Sequence, residues 1–104
     1  MTVVTVYTVF ADADEARRIG RTVVEERLAA CINLFGPCTS LFWWDGAVTE
    51  ATEAPAILKT TLASADALIA RITELHSYEV PAITVWPVER LPASFADWVA
   101  AEVR

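Results

Sequence analysis

Two stretches rich in β-branched and aromatic residues, Cys31 to Trp44 and Ala47 to Thr61, are separated by nothing but Asp45-Gly46. The favoured two-residue hairpin turn needs positive φ at both central positions, which glycine adopts freely and aspartate tolerates, so this pair predicts a β-hairpin. Its arms are not uniform. Gly36-Pro37 breaks the first, and Pro55 stands in the second, where a residue without an N–H predicts a bulge or a sheet edge. A hairpin of this reach is too long for one small domain to cover, and it supplies a surface that self-association would bury.

The flanking segments supply the layers the hairpin joins. Val3 to Phe10 is apolar on both alternating faces, as in a strand covered on each side. Asp12 with Glu15 resembles a capping box, and Ala16, Ile19, Gly20, Val23, Val24 and Leu28 follow at helical spacing, predicting a helix to about Ala29. A second helix is predicted from Leu62 to His76 on Ala65, Leu68, Ile69, Ile72 and Leu75, with Thr61 or Ser64 as its cap. Pro81 should begin a strand reaching Val88, and Pro92 fits the first turn of a last helix carrying Phe95, Trp98 and Val99 on one face. With right-handed crossovers the order β-α-β-β-α-β-α gives a four-stranded antiparallel sheet with two helices on one face. The expectation is therefore one α+β, ferredoxin-like domain over residues 1–104, with an extended hairpin and a C-terminal helix. The sheet's other face is left bare.

Composition says what such a face would be for. The chain has 104 residues, 55% of them hydrophobic, and a mean hydropathy of +0.39. One small core cannot absorb that excess. Polar residues, glycine or proline interrupt every apolar run well before the ~20 residues a spanning helix needs, so self-association is the expected outlet. The first apolar run lacks a basic leader and a cleavage pattern and reads as a strand, which favours a cytoplasmic protein. A net charge of -6 with no basic cluster argues against nucleic acid and anionic membranes as partners and suits a cationic ligand. Cys31 and Cys38 would lie on opposite faces of a regular strand, roughly 20 Å apart, so no disulfide is expected, although Gly36-Pro37 could undo that parity.

The densest chemistry is His76-Ser77-Tyr78-Glu79-Val80-Pro81, which contains the only histidine. If the segment is extended, His76 and Tyr78 share a face and Glu79 points away, forming one wall of a site. The alternative is structural: His76 covers the last carbonyls of a helix, Tyr78 packs with its hydroxyl satisfied, and Glu79 is solvated. Asp12, Asp14 and Glu15 are accounted for by capping and the helix dipole.

Glu26-Arg27-Leu28-Ala29-Ala30-Cys31-Ile32-Asn33, Trp44-Asp45-Gly46, Lys59-Thr60 and the histidine segment, in this order and spacing, resemble the CutA family over nearly the whole chain. The resemblance implies a cytoplasmic homotrimer of ferredoxin-like subunits with PII-like architecture and hairpins packed between subunits. It also implies a link to divalent-cation tolerance, copper binding and no established enzymatic activity. The chain departs from the family pattern at Ser77 and Ala82, where a proline and a glutamate are usual, at Ala47 in place of a lysine, and at Leu91-Pro92-Ala93-Ser94 in place of a Gly-Asn element.

Imidazole and thiolate suit copper, which makes His76 and Cys31 the candidate ligands of a weakly held copper or other divalent ion. No C-x-x-C or H-x-x-x-H pair exists, so folding or subunit contact must assemble any site. Cys31 also reads as a small buried hydrophobe. Trp44, Lys59, Tyr78 and Glu79 are the candidates to line a ligand site between subunits, although Trp43 and Trp44 read more readily as anchors for a neighbouring subunit. No organic cofactor is expected. The alternative is a trimeric assembly scaffold with no metal role, and two other functions fit less of the sequence. A PII-like sensor would want a glycine-rich phosphate cradle, and a small enzyme with His76 as general base would want a second catalytic group.

Overall fold

In the computed structural model, which describes residues 2–104, the elements are β1 (Val3–Phe10), α1 (Ala13–Glu25), β2 (Cys31–Leu34), β3 (Cys38–Trp44), β4 (Ala47–Thr61), α2 (Leu62–Leu75), β5 (Ile83–Pro87) and α3 (Ala93–Glu102). Met1, the first residue of the predicted domain, lies outside the described residues. The strand order is β2-β4-β1-β5 with every pairing antiparallel, and β3 pairs with the N-terminal half of β4. This is the ferredoxin-like arrangement, drawn out to 45 Å along its longest axis. Asp45 (φ 49°) and Gly46 (φ 79°) make the predicted turn.

The hairpin's first arm is two strands. Leu34 pairs with Ala56 and Cys38 with Glu53, so three residues, Phe35 to Pro37, span the two positions Ala54 and Pro55. That excess of one residue is a bulge. It seats Pro55 in the gap between β2 and β3, where no strand asks for its missing N–H, while its carbonyl accepts from Phe35 N–H at 3.1 Å. The bulge also resets the alternation. Cys31 opposite Lys59 and Cys38 opposite Glu53 now share a face, and both thiols are free because their partners on β4 are six positions, roughly 20 Å, apart.

The other predicted boundaries move by a few residues. Helix α1 stops at Glu25 because Arg27 takes a left-handed conformation (φ 65°). Arg27 N–H bonds to Val24 O and Leu28 N–H to Val23 O, closing a Schellman motif without the usual glycine, so the apolar Leu28 does not extend the helix. Thr61 caps α2 by position but makes no side-chain cap bond. Residues 76–82 are irregular, so β5 starts at Ile83 and not at Pro81. Pro92 precedes α3 as its N-cap.

The two faces of the sheet differ. On one, Val4, Val6 and Phe10 of β1 and Leu58 of β4 are sealed by Ile19 and Val23 of α1 and Leu68 and Ile72 of α2. Gly20 lets α1 settle on the sheet, since a Cβ there would lie 2.7 Å from Ile32 Cδ1. On the other face α3 covers only one end, packing Val99, Phe95 and Val103 against Val3, Ala30 and Val88. Beyond it that face is open beneath the hairpin. Among the described residues no helix is long and apolar enough to cross a membrane.

Candidate functional site

Strand alternation decides which side chains meet on the open face. Tyr7 of β1, the even-numbered Phe42 and Trp44 of β3 and the odd-numbered Glu53 of β4 all project to it. With Tyr78 and Glu79 from the loop after α2 they surround a cleft of about 660 Å³, within the ~300–1,000 Å³ usual for small-molecule sites. Glu53 is the unusual member. It is 6% exposed, and its only side-chain partner among the described residues is the Tyr78 hydroxyl, which donates to Glu53 Oε2 at 2.8 Å. Burial, then the bond to Glu53 and its charge, push the Tyr78 hydroxyl up to about 12, so the phenol stays protonated as a donor.

His76 sits behind this cleft. Its side chain is fully buried, stacked on Phe10 with ring centroids 5.2 Å apart and tilted against Tyr78 at 4.7 Å. Its Nε2–H donates to Val9 O at 2.9 Å, and its Nδ1 accepts from Tyr78 N–H at 3.0 Å. These two backbone partners define a neutral imidazole protonated at Nε2. The ring therefore ties the loop to β1 rather than covering carbonyls at the end of its own helix. Glu15 braces the same corner. Its N–H bonds to Asp12 Oδ1 at 2.8 Å as the capping pattern predicts, while its carboxylate accepts from Ala11 N–H and Ser77 N–H, each at 3.2 Å. Burial works to raise its pKa, but the Ser77 and Ala11 hydrogen bonds outweigh it and hold the carboxyl below the usual range. A proline at position 77 could not make this bond, because proline has no N–H to give.

The predicted site residues separate into two groups. Trp44, Tyr78 and Glu79 come together in the cleft. Lys59 shares its face but lies opposite Thr5 and Cys31, six positions along β4 from Glu53, so within one chain it is outside the cleft. Cys31 is half-buried on β2 beside Lys59, and burial raises its thiol above the ordinary value despite the lysine. His76 has both nitrogens committed to the backbone. Neither predicted metal ligand is poised: a metal at His76 must break one of two bonds, and Cys31 resists becoming thiolate. Among the described residues no three His, Cys, Asp or Glu side chains are grouped to hold a metal. Copper does not fit the donors of one chain. Sequence reasoning missed Glu53 and Tyr7. Glu53 has the same parity as Lys59 on β4, which was the available signal, but placing Tyr78 against it required the tertiary fold.

Fold and cleft together define a ferredoxin-like, PII-like α+β protein whose sheet has one sealed face and one open face flanked by a long hairpin. The family model described as CutA1 divalent ion tolerance protein matches residues 4–102. The divalent-cation tolerance protein CutA of Pyrococcus horikoshii is 38% identical over 99 residues, covering 95% of this chain and 96% of that one. Its counterpart in Archaeoglobus fulgidus is 37% identical over 94 residues, covering 90% and 91%. The crystal structure of CutA1 from Oryza sativa superposes with a TM-score of 0.97 at 27% identity, covering 100% of this chain and 95% of that chain. The chain belongs to the CutA1 family.

Proposed function

We propose that this protein acts in divalent-cation tolerance as a non-enzymatic homotrimer, binding its cation weakly and only with donors drawn from more than one subunit. The observation that carries the reading is the uncovered hairpin, exposed on both of its sides. Trp43 is 75% exposed, Leu41 68% and Val48 59% on one side of the hairpin, and Trp44 57% on the other. So much apolar surface on a small monomer marks an interface. The names of the relatives supply the cation, and among the described residues no side chains of one chain are grouped to hold it, which supports a site drawn from several subunits. His76 and Cys31 remain the soft donors, with Glu53 and Glu79 as hard ones. Two unpaired cysteines suit a reducing compartment, which favours the cytoplasm.

Light scattering tests the assembly: three copies of the 11.4 kDa chain should give about 34 kDa. Calorimetry with cuprous and cupric copper should show weak binding that Cys31→Ala or His76→Gln diminishes. A clean monomer defeats the trimer, and unchanged binding in both variants defeats the assignment of donors.

A further inference from the structure

We propose that in the trimer the buried Glu53 carboxylate of each subunit pairs with the Lys59 ammonium of its neighbour, across the contact between the hairpin and the open sheet face. Glu53 is 6% exposed and accepts from the Tyr78 hydroxyl at 2.8 Å. A neutral phenol orients the carboxylate without cancelling its charge, and among the described residues no cation of the same chain pairs with it. Covering that face with a second subunit withdraws Glu53 further from water, so the partner must bring a positive charge with it. The chain has few to offer. Arg21, Arg27 and Arg71 are paired with Glu25, Glu102 and Glu26 of their own chain, and Arg17 and Arg18 stand on α1, on the sealed side of the sheet. Arg90 and Arg104 flank α3 and are exposed. Among the described residues Lys59 alone brings a cation to the open sheet face. It is half-buried in the row Cys31, Lys59, Thr5 and Trp86, which runs across four strands and contains no carboxylate. Glu53 and Lys59 thus present one unbalanced charge of each sign on the same face of β4, six positions and roughly 20 Å apart, too far to meet within a chain. A cyclic trimer joins its subunits through two different patches of the same chain, which is what this separation provides.

The inference rests on the trimeric reading but not on its cation, and Glu79, exposed beside Tyr78, remains as a carboxylate for one. A water-soluble carbodiimide couples a lysine amine to a carboxylate with no spacer. It should link subunits of the wild-type protein, and peptide mapping by mass spectrometry should find Glu53 joined to Lys59. Such a link can form only between chains, and it needs no variant. Charge reversal gives a second measure. Glu53→Lys and Lys59→Glu should each raise the concentration at which the trimer dissociates by about tenfold or more, and the double variant should recover most of that loss. Arg90→Ala should leave it unchanged. A trimer by light scattering that yields no link between Glu53 and Lys59, losses that simply add in the double variant, or an Arg90→Ala loss as large as that of Lys59→Glu would overturn the pair while the trimer stands. A monomer would overturn both.

Discussion

The even-numbered and odd-numbered sides of β1 belong to one eight-residue strand, yet they meet different fates. Val4, Val6, Thr8 and Phe10 are each 0% exposed beneath α1 and α2. Val3 and Thr5 are buried on the opposite side, but Tyr7 and Val9 are only half-buried where α3 no longer reaches. The helix side is finished within one chain and supplies stability. The hairpin side is unfinished, and its aromatic and acidic groups have surface left for recognition.

The largest expected effects contrast the sealed core with the uncovered hairpin. Phe10→Ala should destabilise the fold by about 3–5 kcal/mol, because it removes a large side chain from a sealed core and loses the stack on His76. Trp43→Ala deletes an even larger side chain, but one that is 75% exposed, and should change protomer stability by no more than about 0.5 kcal/mol. It should instead lower the assembled mass at a given concentration. Urea denaturation and light scattering on both variants check the contrast, which breaks if Trp43→Ala unfolds the chain or Phe10→Ala spares it.

This division was partly legible in the sequence. Periodicity identified the sealed face, because Ala16, Ile19, Val23, Leu68 and Ile72 recur at helical spacing whatever the rest of the chain does. The Asp45-Gly46 turn was legible because it depends on two local backbone angles. The end of α1 was not, since Arg27 adopts a conformation whose usual sequence sign is glycine. The resetting of strand parity depended on a one-residue excess visible only in the register. The role of His76 was least legible, because its Nε2 partner, Val9 O, is 67 residues away. An isolated histidine beside a tyrosine and a glutamate reads as chemistry until both nitrogens are seen to hold backbone. Tyr78 and Trp44 were found for their residue types, and Glu53 was passed over because nothing near it in sequence resembles a site.

A smaller effect should come from Ser77, where the sealed and open regions join. Ser77→Pro suits the residue before it, since His76 at φ -67°, ψ 143° already has the extended backbone that precedes a proline comfortably. The N–H to Glu15 is lost, however, so the buried carboxylate gives up a charge-assisted bond and stability at neutral pH should fall by about 1–2 kcal/mol. The sign with pH follows from the lowered pKa of Glu15. A carboxyl depressed in the folded state contributes stability that is present above its unfolded pKa and is lost as pH falls through its folded pKa. Ser77→Pro should therefore differ most from wild type near neutrality, with the gap narrowing in acid. Ser77→Ala keeps the backbone donor and should lie between them. Urea midpoints at several pH values check this ordering.

The smallest expected change lies at Arg27, which links the elements on opposite faces of the sheet. Its carbonyl accepts from Arg104 N–H at 2.9 Å, and its guanidinium pairs with Glu102, so it ties the end of α1 to the end of α3. Arg27→Gly relieves the left-handed backbone, worth about 1 kcal/mol, and loses a half-exposed ion pair worth about 0–1 kcal/mol. The net change in global stability should thus be less than about 1 kcal/mol by the same principles, with opposite local consequences. Termination of α1 becomes easier, while α3 loses one of its two ties, so hydrogen exchange should accelerate in α3 and remain unchanged in α1. If α3 is held instead by Val99 and Phe95 packing on Val3 and Ala30, its exchange will not move. That result would show its covering of the open face to be as self-sufficient as the helix-covered core, and the contrast between the faces would begin only beyond α3, at Tyr7.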